Sequence, residues 1–218
     1  TADRFAAFCE RLSGELGDAI ARACTINEPN IVATMGWRLG SFPPGKTDAD
    51  LRLRVNDVFV DAHRKAVDAI RAGAPGVPVG LTLSMTEYVA VDGGEERAAR
   101  MYDEMENVFL DATEGDDFLG VQTYSRLRIG PHGILGPEEG VPVLDMGYEY
   151  WPQSLEACLR YSWDRTGGRV PLLVTENDYA LRLYNGDTGV VVAGADGRTT
   201  AAFERRGEVM PVAPSRLE

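Results

Sequence analysis

Along residues 1–175 the spacing of apolar side chains switches repeatedly between a helical and a strand-like period, and this alternation restricts the chain to a small set of architectures. Phe5, Phe8, Cys9, Leu12, Leu16 and Ile20 recur at helical spacing and predict an amphipathic helix over 3–20, with that stripe facing a core. Ala23 to Asn27 reads as a short buried strand. A Gly/Pro-rich loop around residues 40–45 precedes a long Arg/Asp-rich helix over 48–72, marked by Val55, Val58, Phe59, Ala62, Ala66 and Ile70. Val77 to Ser84 predicts the next strand, bounded by Ala74-Pro75-Gly76. Ala98, Met101, Tyr102, Met105 and Phe109 predict a third helix, and Phe118 to Tyr124 a strand followed by a Gly/Pro loop running through Gly140. Pro152 opens a fourth helix carrying Leu155, Cys158 and Leu159, and Val170 to Thr175 reads as a further strand.

Helix first, then strand and helix in alternation, then a strand: this order argues for parallel βαβ units. Polar residues gather just after each strand, where such folds place their sites. Four strands are too few to close a barrel, which takes about eight. The expected fold class is therefore α/β, a partial (β/α)8 TIM barrel of about four parallel strands with helices, whose open edges need covering. After Tyr179 the pattern changes. Leu181 to Asn185, Gly189 to Ala193 and Thr199 to Glu204 are short branched or alternating segments separated by Asn185-Gly186 and Asp196-Gly197 turns. They predict a small C-terminal β-meander, and a division into a half-barrel over 1–178 and an edge-covering segment over 179–218.

Charge and cysteine usage narrow the function. A net charge of −12 disfavours nucleic acid and anionic membranes as partners. Residues 179–218 carry five basic and five acidic side chains, so the acidity lies wholly upstream. No apolar run is long enough for a membrane helix, which takes about 18 residues. The first residues lack a secretion signal and read as mid-domain helix, as though sequence normally upstream were absent. Cys9, Cys24 and Cys158 are odd in number, lack metal-ligand spacing and sit in apolar surroundings, so buried free thiols and a cytoplasmic location are expected. His63 falls in a helix and His132 in a Gly/Pro turn, far apart in sequence, which gives no support to a metal centre or a Ser-His-Asp triad. No cofactor and no metal is implied.

Two strings carry chemistry. Thr25-Ile26-Asn27-Glu28-Pro29 and Leu173-Val174-Thr175-Glu176-Asn177 each end a run of β-formers with a glutamate beside an asparagine. The glutamates stand 148 positions apart (176 − 28), so only a tertiary fold can unite them. Two carboxyls about 5–5.5 Å apart, one protonated and one ionised, are what retaining glycoside hydrolysis requires.

The chain up to residue 178 resembles glycoside hydrolase family 1, the β-glucosidase family. The matching stretches are Cys24-Thr-Ile-Asn-Glu-Pro-Asn30, Asp117-Phe-Leu-Gly-Val-Gln-Thr-Tyr124, Met146-Gly-Tyr-Glu-Tyr-Trp-Pro152 and Pro171-Leu-Leu-Val-Thr-Glu-Asn177. The resemblance implies Glu28 as acid/base, Glu176 as nucleophile, Asn27 on the sugar 2-hydroxyl and Tyr124 hydrogen-bonded to the nucleophile. It also implies a small β-glycoside as substrate. The family's first three strands and its eighth have no counterpart here. Its Asn-Tyr-Tyr is Gln122-Thr123-Tyr124, and the glycine after Thr-Glu-Asn is Asp178. Residues 177–218 resemble instead a C-terminal segment of the exodeoxyribonuclease V alpha subunit, without any Gly-x-x-x-x-Gly-Lys phosphate loop. The chain reads as a mosaic joined near Glu176, its tail covering a strand edge.

Each candidate has a plainer reading. Glu28 before Pro29 is also what a helix-start carboxylate looks like. Tyr124 can be a strand-end tyrosine with a satisfied hydroxyl, and Trp37, the best candidate for a sugar platform, can be core. Glu87, just past the second strand, reads as a solvated loop charge rather than a third pocket carboxylate. Two four-stranded halves make eight strands, so a homodimer completing one barrel is geometrically attractive. The competing reading is a catalytically inactive fragment serving as a structural or interaction module.

Overall fold

The computed structural model describes residues 1–175, 188–193, 199–205 and 208–212, the last three segments as backbone only. Contacts divide the chain into two units. The first comprises Thr1–Leu83 with Glu104–Leu119, the second Ser84–Asp103 with Gly120–Glu218.

The first unit opens with helix α1 (Ala2–Leu16) and a short turn, then strand β1 (Ala23–Asn27), helix α2 (Pro29–Ala33) and a π-helical turn Thr34–Arg38. Helix α3 (Ala49–Gly73) follows, its first turn capped by the Asp48 carboxylate, which accepts from the Leu51 N–H at 2.8 Å. Strand β2 (Val79–Ala90) begins in this unit and runs parallel to β1, pairing Ala23 with Val79 and Asn27 with Thr82. Between Cys24 and Asn27 the register shifts. The core joins Cys9 of α1, Ala66, Val67 and Ile70 of α3 and Val79 of β2, with Phe5 and Ala23 packed against it.

Of the expected α1 stripe, Phe5 and Cys9 reach the core. Phe8, Leu12 and Leu16 are exposed, and the buried positions are Ala2, Cys9 and Ser13. The face that packs is the one that permits closest approach. A Cβ on Gly73 would lie 2.2 Å from Ser13 Oγ and 2.8 Å from the Glu10 carbonyl, so α1 and α3 meet through small residues. Opposite them, Arg52 of α3 is buried and donates to the Glu104 carbonyl at 3.0 Å, as does Asn56 Nδ2.

The second unit takes in the far end of β2, helix α4 (Glu95–Tyr102) and most of strand β3 (Phe118–Gly130). Between α4 and β3 a π turn Asp103–Asn107 leads into the short helix α5 (Val108–Leu110). Strand β4 (Gly133–Ile134) folds back on β3 through a turn at Pro131-His132. Helix α6 (Gln153–Arg165) and strand β5 (Leu172–Val174) complete the alternation. Tyr102 lies edge-on to Tyr88 (centroids 4.7 Å apart) and stacks on Tyr161 (4.0 Å), locking α4 and α6 over β2. Strands β6 (Thr188–Ala193), β7 (Thr199–Arg205) and β8 (Glu208–Val212) form an antiparallel meander that continues from β5, with Leu173 opposite Thr188.

The sheet order is β1-β2-β3-β5-β6-β7-β8, with β4 on β3. Strand order following chain order, with a helix after each of the first three strands, is the winding of a (β/α) barrel segment. The expected class, a partial barrel plus a terminal β-meander, holds. Strands β2 and β3 extend past their expected ends at Ser84 and Tyr124, so Glu87 and Tyr124 lie within strands. Trp37 lies in the π turn that follows α2. The expected segment Leu181–Asn185 and the 178/179 boundary lie outside the described residues. No described helix is long and apolar enough to cross a membrane.

Candidate active site

β1 ends at Asn27, and the next residue turns the chain sharply. Glu28 adopts a left-handed conformation, φ 48° and ψ 51°, rare for a residue with a Cβ. Pro29, with its pre-set φ, starts α2 directly afterwards. The Glu28 N–H donates to the Thr82 carbonyl of β2 at 2.9 Å, and its own carbonyl accepts from Ile31 and Val32 at 3.0 Å. The residue therefore stands where a helix-start carboxylate would, yet its side chain makes no capping bond to α2. A strained backbone at a strand end is the pattern of a functional position.

Asn27 is fixed from β2. Thr82 Oγ1 donates to Asn27 Oδ1 at 2.7 Å, and Cys24 Sγ lies 3.4 Å from the same hydroxyl. With that proton committed to Asn27, the thiol is the donor in the second contact. Among the described residues β1 is the terminal strand of the sheet, and Cys24 and Asn27 are exposed. Of the three cysteines expected to be buried, Cys9 and Cys158 are, and Cys24 is not.

Trp37 is half-buried and meets Phe59 of α3 edge-on, with centroids 6.4 Å apart. Tyr124 belongs to the second unit, is 47% exposed and stacks on Tyr148 at 6.4 Å. Glu176 lies outside the described residues. The structure thus joins Asn27 to Glu28 directly, places Trp37 beyond α2 in the same unit, and sets Tyr124 in the other.

In the second unit Arg126 ties down the long loop after β4. Arg126 of β3 donates through Nε to Glu149 and through Nη2 to Glu138, both at 2.5 Å, and its guanidinium lies 3.4 Å from the Trp151 ring centroid. Ser125 Oγ donates to the Glu149 carbonyl at 2.8 Å. Burial would raise the Glu149 carboxyl, but Arg126, the Glu138 N–H and Arg128 outweigh it and hold the group below its ordinary range.

Glu87, expected to be a solvated loop charge, is a half-buried strand residue. Burial raises its pKa; the attraction of Arg126 and a hydrogen bond from Trp151 offset this only in part. The misplacement came from ending β2 too early: Thr86, Tyr88 and Val89 are good strand formers and were the available signal. A cavity of about 90 Å³ beneath the loop, lined by Arg126, Arg128, Leu135, Pro137, Tyr148 and Glu149, holds several waters at most. It is well below the roughly 300 Å³ of an ordinary ligand pocket.

The profile of glycosyl hydrolase family 1 matches residues 1–126. A β-galactosidase of Saccharolobus solfataricus is 26% identical over 217 residues, covering 83% of this chain and 44% of the relative. The RecBCD enzyme subunit RecD of Mycobacterium tuberculosis is 32% identical over 171 residues, covering 76% of this chain and 29% of that protein. That similarity is too long to be confined to residues 177–218 and reaches into the barrel segment. Among solved structures, the β-glycosidase BGL167 is 33% identical with a TM-score of 0.69, covering 89% of this chain and 49% of that one. The family 1 β-glucosidase of Thermotoga maritima, at 22% identity and a TM-score of 0.71, covers 91% of this chain and 50% of its own and bears on the fold alone. The chain spans about half or less of the length of the curated relatives named here.

Proposed function

Because this chain belongs to glycosyl hydrolase family 1, we propose that it carries the catalytic pair of a retaining β-glycosidase acting on a small β-glycoside, of the β-glucoside kind. Glu28 is the acid/base and Glu176 the nucleophile. Asn27 contacts the sugar, Tyr124 holds the nucleophile, and Trp37 offers a ring face at the edge of the site. The observation that carries the reading is the left-handed Glu28 at the end of β1, beside an asparagine whose amide is fixed by Thr82. A carboxyl at a strand end, next to an asparagine, is the kind of group that gives a proton to a leaving oxygen in retaining hydrolysis. In the double displacement Glu176 attacks the anomeric carbon while Glu28 protonates the departing oxygen. Water, deprotonated by Glu28, then releases the sugar. Turnover is expected to be weak, since remote sugar contacts supply much of the energy used in catalysis and the chain has only part of the relatives' length.

Hydrolysis of a chromogenic β-glucoside tests the proposal. Glu28→Gln and Glu176→Gln should each lower the rate at least about a hundredfold. Variants that keep full activity reject the assignment.

The partial length favours one further reading, a catalytically inactive family 1 fragment acting as a structural or interaction module. It predicts no turnover and no binding of a glucose-shaped inhibitor. On either reading β1, with no strand on its outer side among the described residues, suits a second copy of the chain supplying the missing strands, and the terminal β-segment suits edge cover. We take the setting to be cytoplasmic, a reducing compartment in which an odd set of thiols such as Cys9, Cys24 and Cys158 stays reduced.

A further inference from the structure

Three buried or half-buried groups behind β1 form a chain that the proposed chemistry does not use. His63, in the middle of α3, is 1% exposed. Its Nδ1 lies 2.8 Å from Thr25 Oγ1 of β1, and its Nε2 lies 3.2 Å from Asp116 Oδ2 in the turn leading into β3. The His63 and Asp116 side chains are 2% and 3% exposed, and among the described residues neither of those two atoms has another hydrogen-bond partner. Thr25 Oγ1 also donates to the Gly80 carbonyl of β2 at 3.2 Å.

One hydroxyl has one proton. While Thr25 donates to Gly80, it can only accept from His63, so Nδ1 must carry hydrogen. Nε2 and Asp116 Oδ2 then face each other with one further proton between them, as imidazolium with carboxylate or imidazole with carboxylic acid. When that proton leaves, the remaining imidazole hydrogen is drawn to Nε2 by the Asp116 carboxylate. Nδ1 becomes an acceptor, and Thr25 must turn its hydrogen from Gly80 to His63. The bond lost is a side-chain tie between β1 and β2 within the stretch where the ladder register shifts, two residues before Asn27 and three before Glu28.

We propose that His63 and Asp116 are a positioning pair whose proton occupancy, relayed through the Thr25 hydroxyl, decides whether β1 is tied to β2 beside the Asn27-Glu28 turn. The part concerning Asn27 and Glu28 rests on the glycosidase reading; the proton relay does not. The charged and titratable groups around the pair are Asp117 and Arg71, which act on Asp116, and the Cys24 thiol, which feels Asp116 from β1. Burial raises the Asp116 carboxyl, and His63 and Arg71 offset this only in part, so the carboxyl competes for the shared proton.

The test is a nitrogen-15 titration of the histidines in the full chain. With only two histidines in the sequence, His132→Gln assigns the spectrum. The His63 Nδ1 resonance should move from a protonated to an unprotonated position as pH rises. A Nδ1 that keeps one state throughout overturns the relay, whether or not the protein hydrolyses a glycoside. Asp116→Asn removes the buried anion and should move the transition at least one pH unit lower, a tenfold loss of proton affinity. Thr25→Ser should retain the transition. An unshifted midpoint in Asp116→Asn also overturns the proposal, and if that variant does not fold the titration of the parent chain still decides.

Discussion

Glu87 and Glu149 are both close to Arg126, and their surroundings push them in opposite directions. Glu87 is raised by burial against a partial offset, so its protonated form is favoured in the folded chain. Such a group stabilises below its unfolded pKa and loses that contribution as pH rises through the folded one. Above the ordinary glutamate range the folded state therefore bears a cost for holding this group. Glu87→Gln keeps an oxygen for the Trp151 N–H and should raise the melting temperature at pH 7, the gain fading as the solution is acidified. An equal gain at every pH would place the effect in packing instead. Glu149 is the converse case. Its depressed carboxyl contributes above the ordinary glutamate range and loses that contribution as pH falls through the lowered value. Arg126→Ala strands two carboxylates and removes the cation over Trp151. It should cost roughly 3 kcal/mol in urea unfolding at pH 7, with the deficit narrowing in acid.

At the level of elements, the strand-to-strand spacing depends on Gly80. A Cβ there would stand 2.0 Å from the Phe118 carbonyl and 2.9 Å from the Phe118 ring, with backbone that cannot swing aside. Gly80→Ala should destabilise by about 1–3 kcal/mol in denaturant unfolding. A variant of parental stability would show that the start of β3 yields more readily than its packing implies. Nothing in the sequence around Gly80 announces this approach. Helical period found α1 and α3 through long apolar repeats, and α4 and α6 through shorter ones, α6 with Pro152 marking its start. On α1 the same period found part of the buried face: Phe5 and Cys9 reach the core, Phe8, Leu12 and Leu16 do not, and Ser13 lies against Gly73. The Asn27-Glu28 turn was legible, because a strand running into Asn-Glu-Pro has few ways to continue. The left-handed backbone of Glu28 was not, since only pairing with Thr82 across two strands fixes it. The link from His63 to Thr25 and Asp116 was equally hidden, as it spans 38 positions on one side and 53 (116 − 63) on the other.

For the molecule as a whole, the proposed dimer must contend with charge. Each chain carries −12, so two copies repel, and the repulsion is screened over a Debye length of about 10 Å at 0.1 M salt and about 3 Å at 1 M. Pairing between β1 edges adds backbone hydrogen bonds, which depend little on salt, whereas the opposing term weakens steeply as salt is added. Self-association should therefore strengthen with ionic strength. Sedimentation equilibrium at low and high salt should find the average mass rising from that of one chain toward two. Pairing with a basic partner would show the reverse trend, tightest in dilute buffer. A mass that stays at one chain across the whole range removes the dimer. The edge of β1, unpaired among the described residues, would then require closure by a different polypeptide, and the case for hydrolysis would have to be made on a half-barrel standing alone.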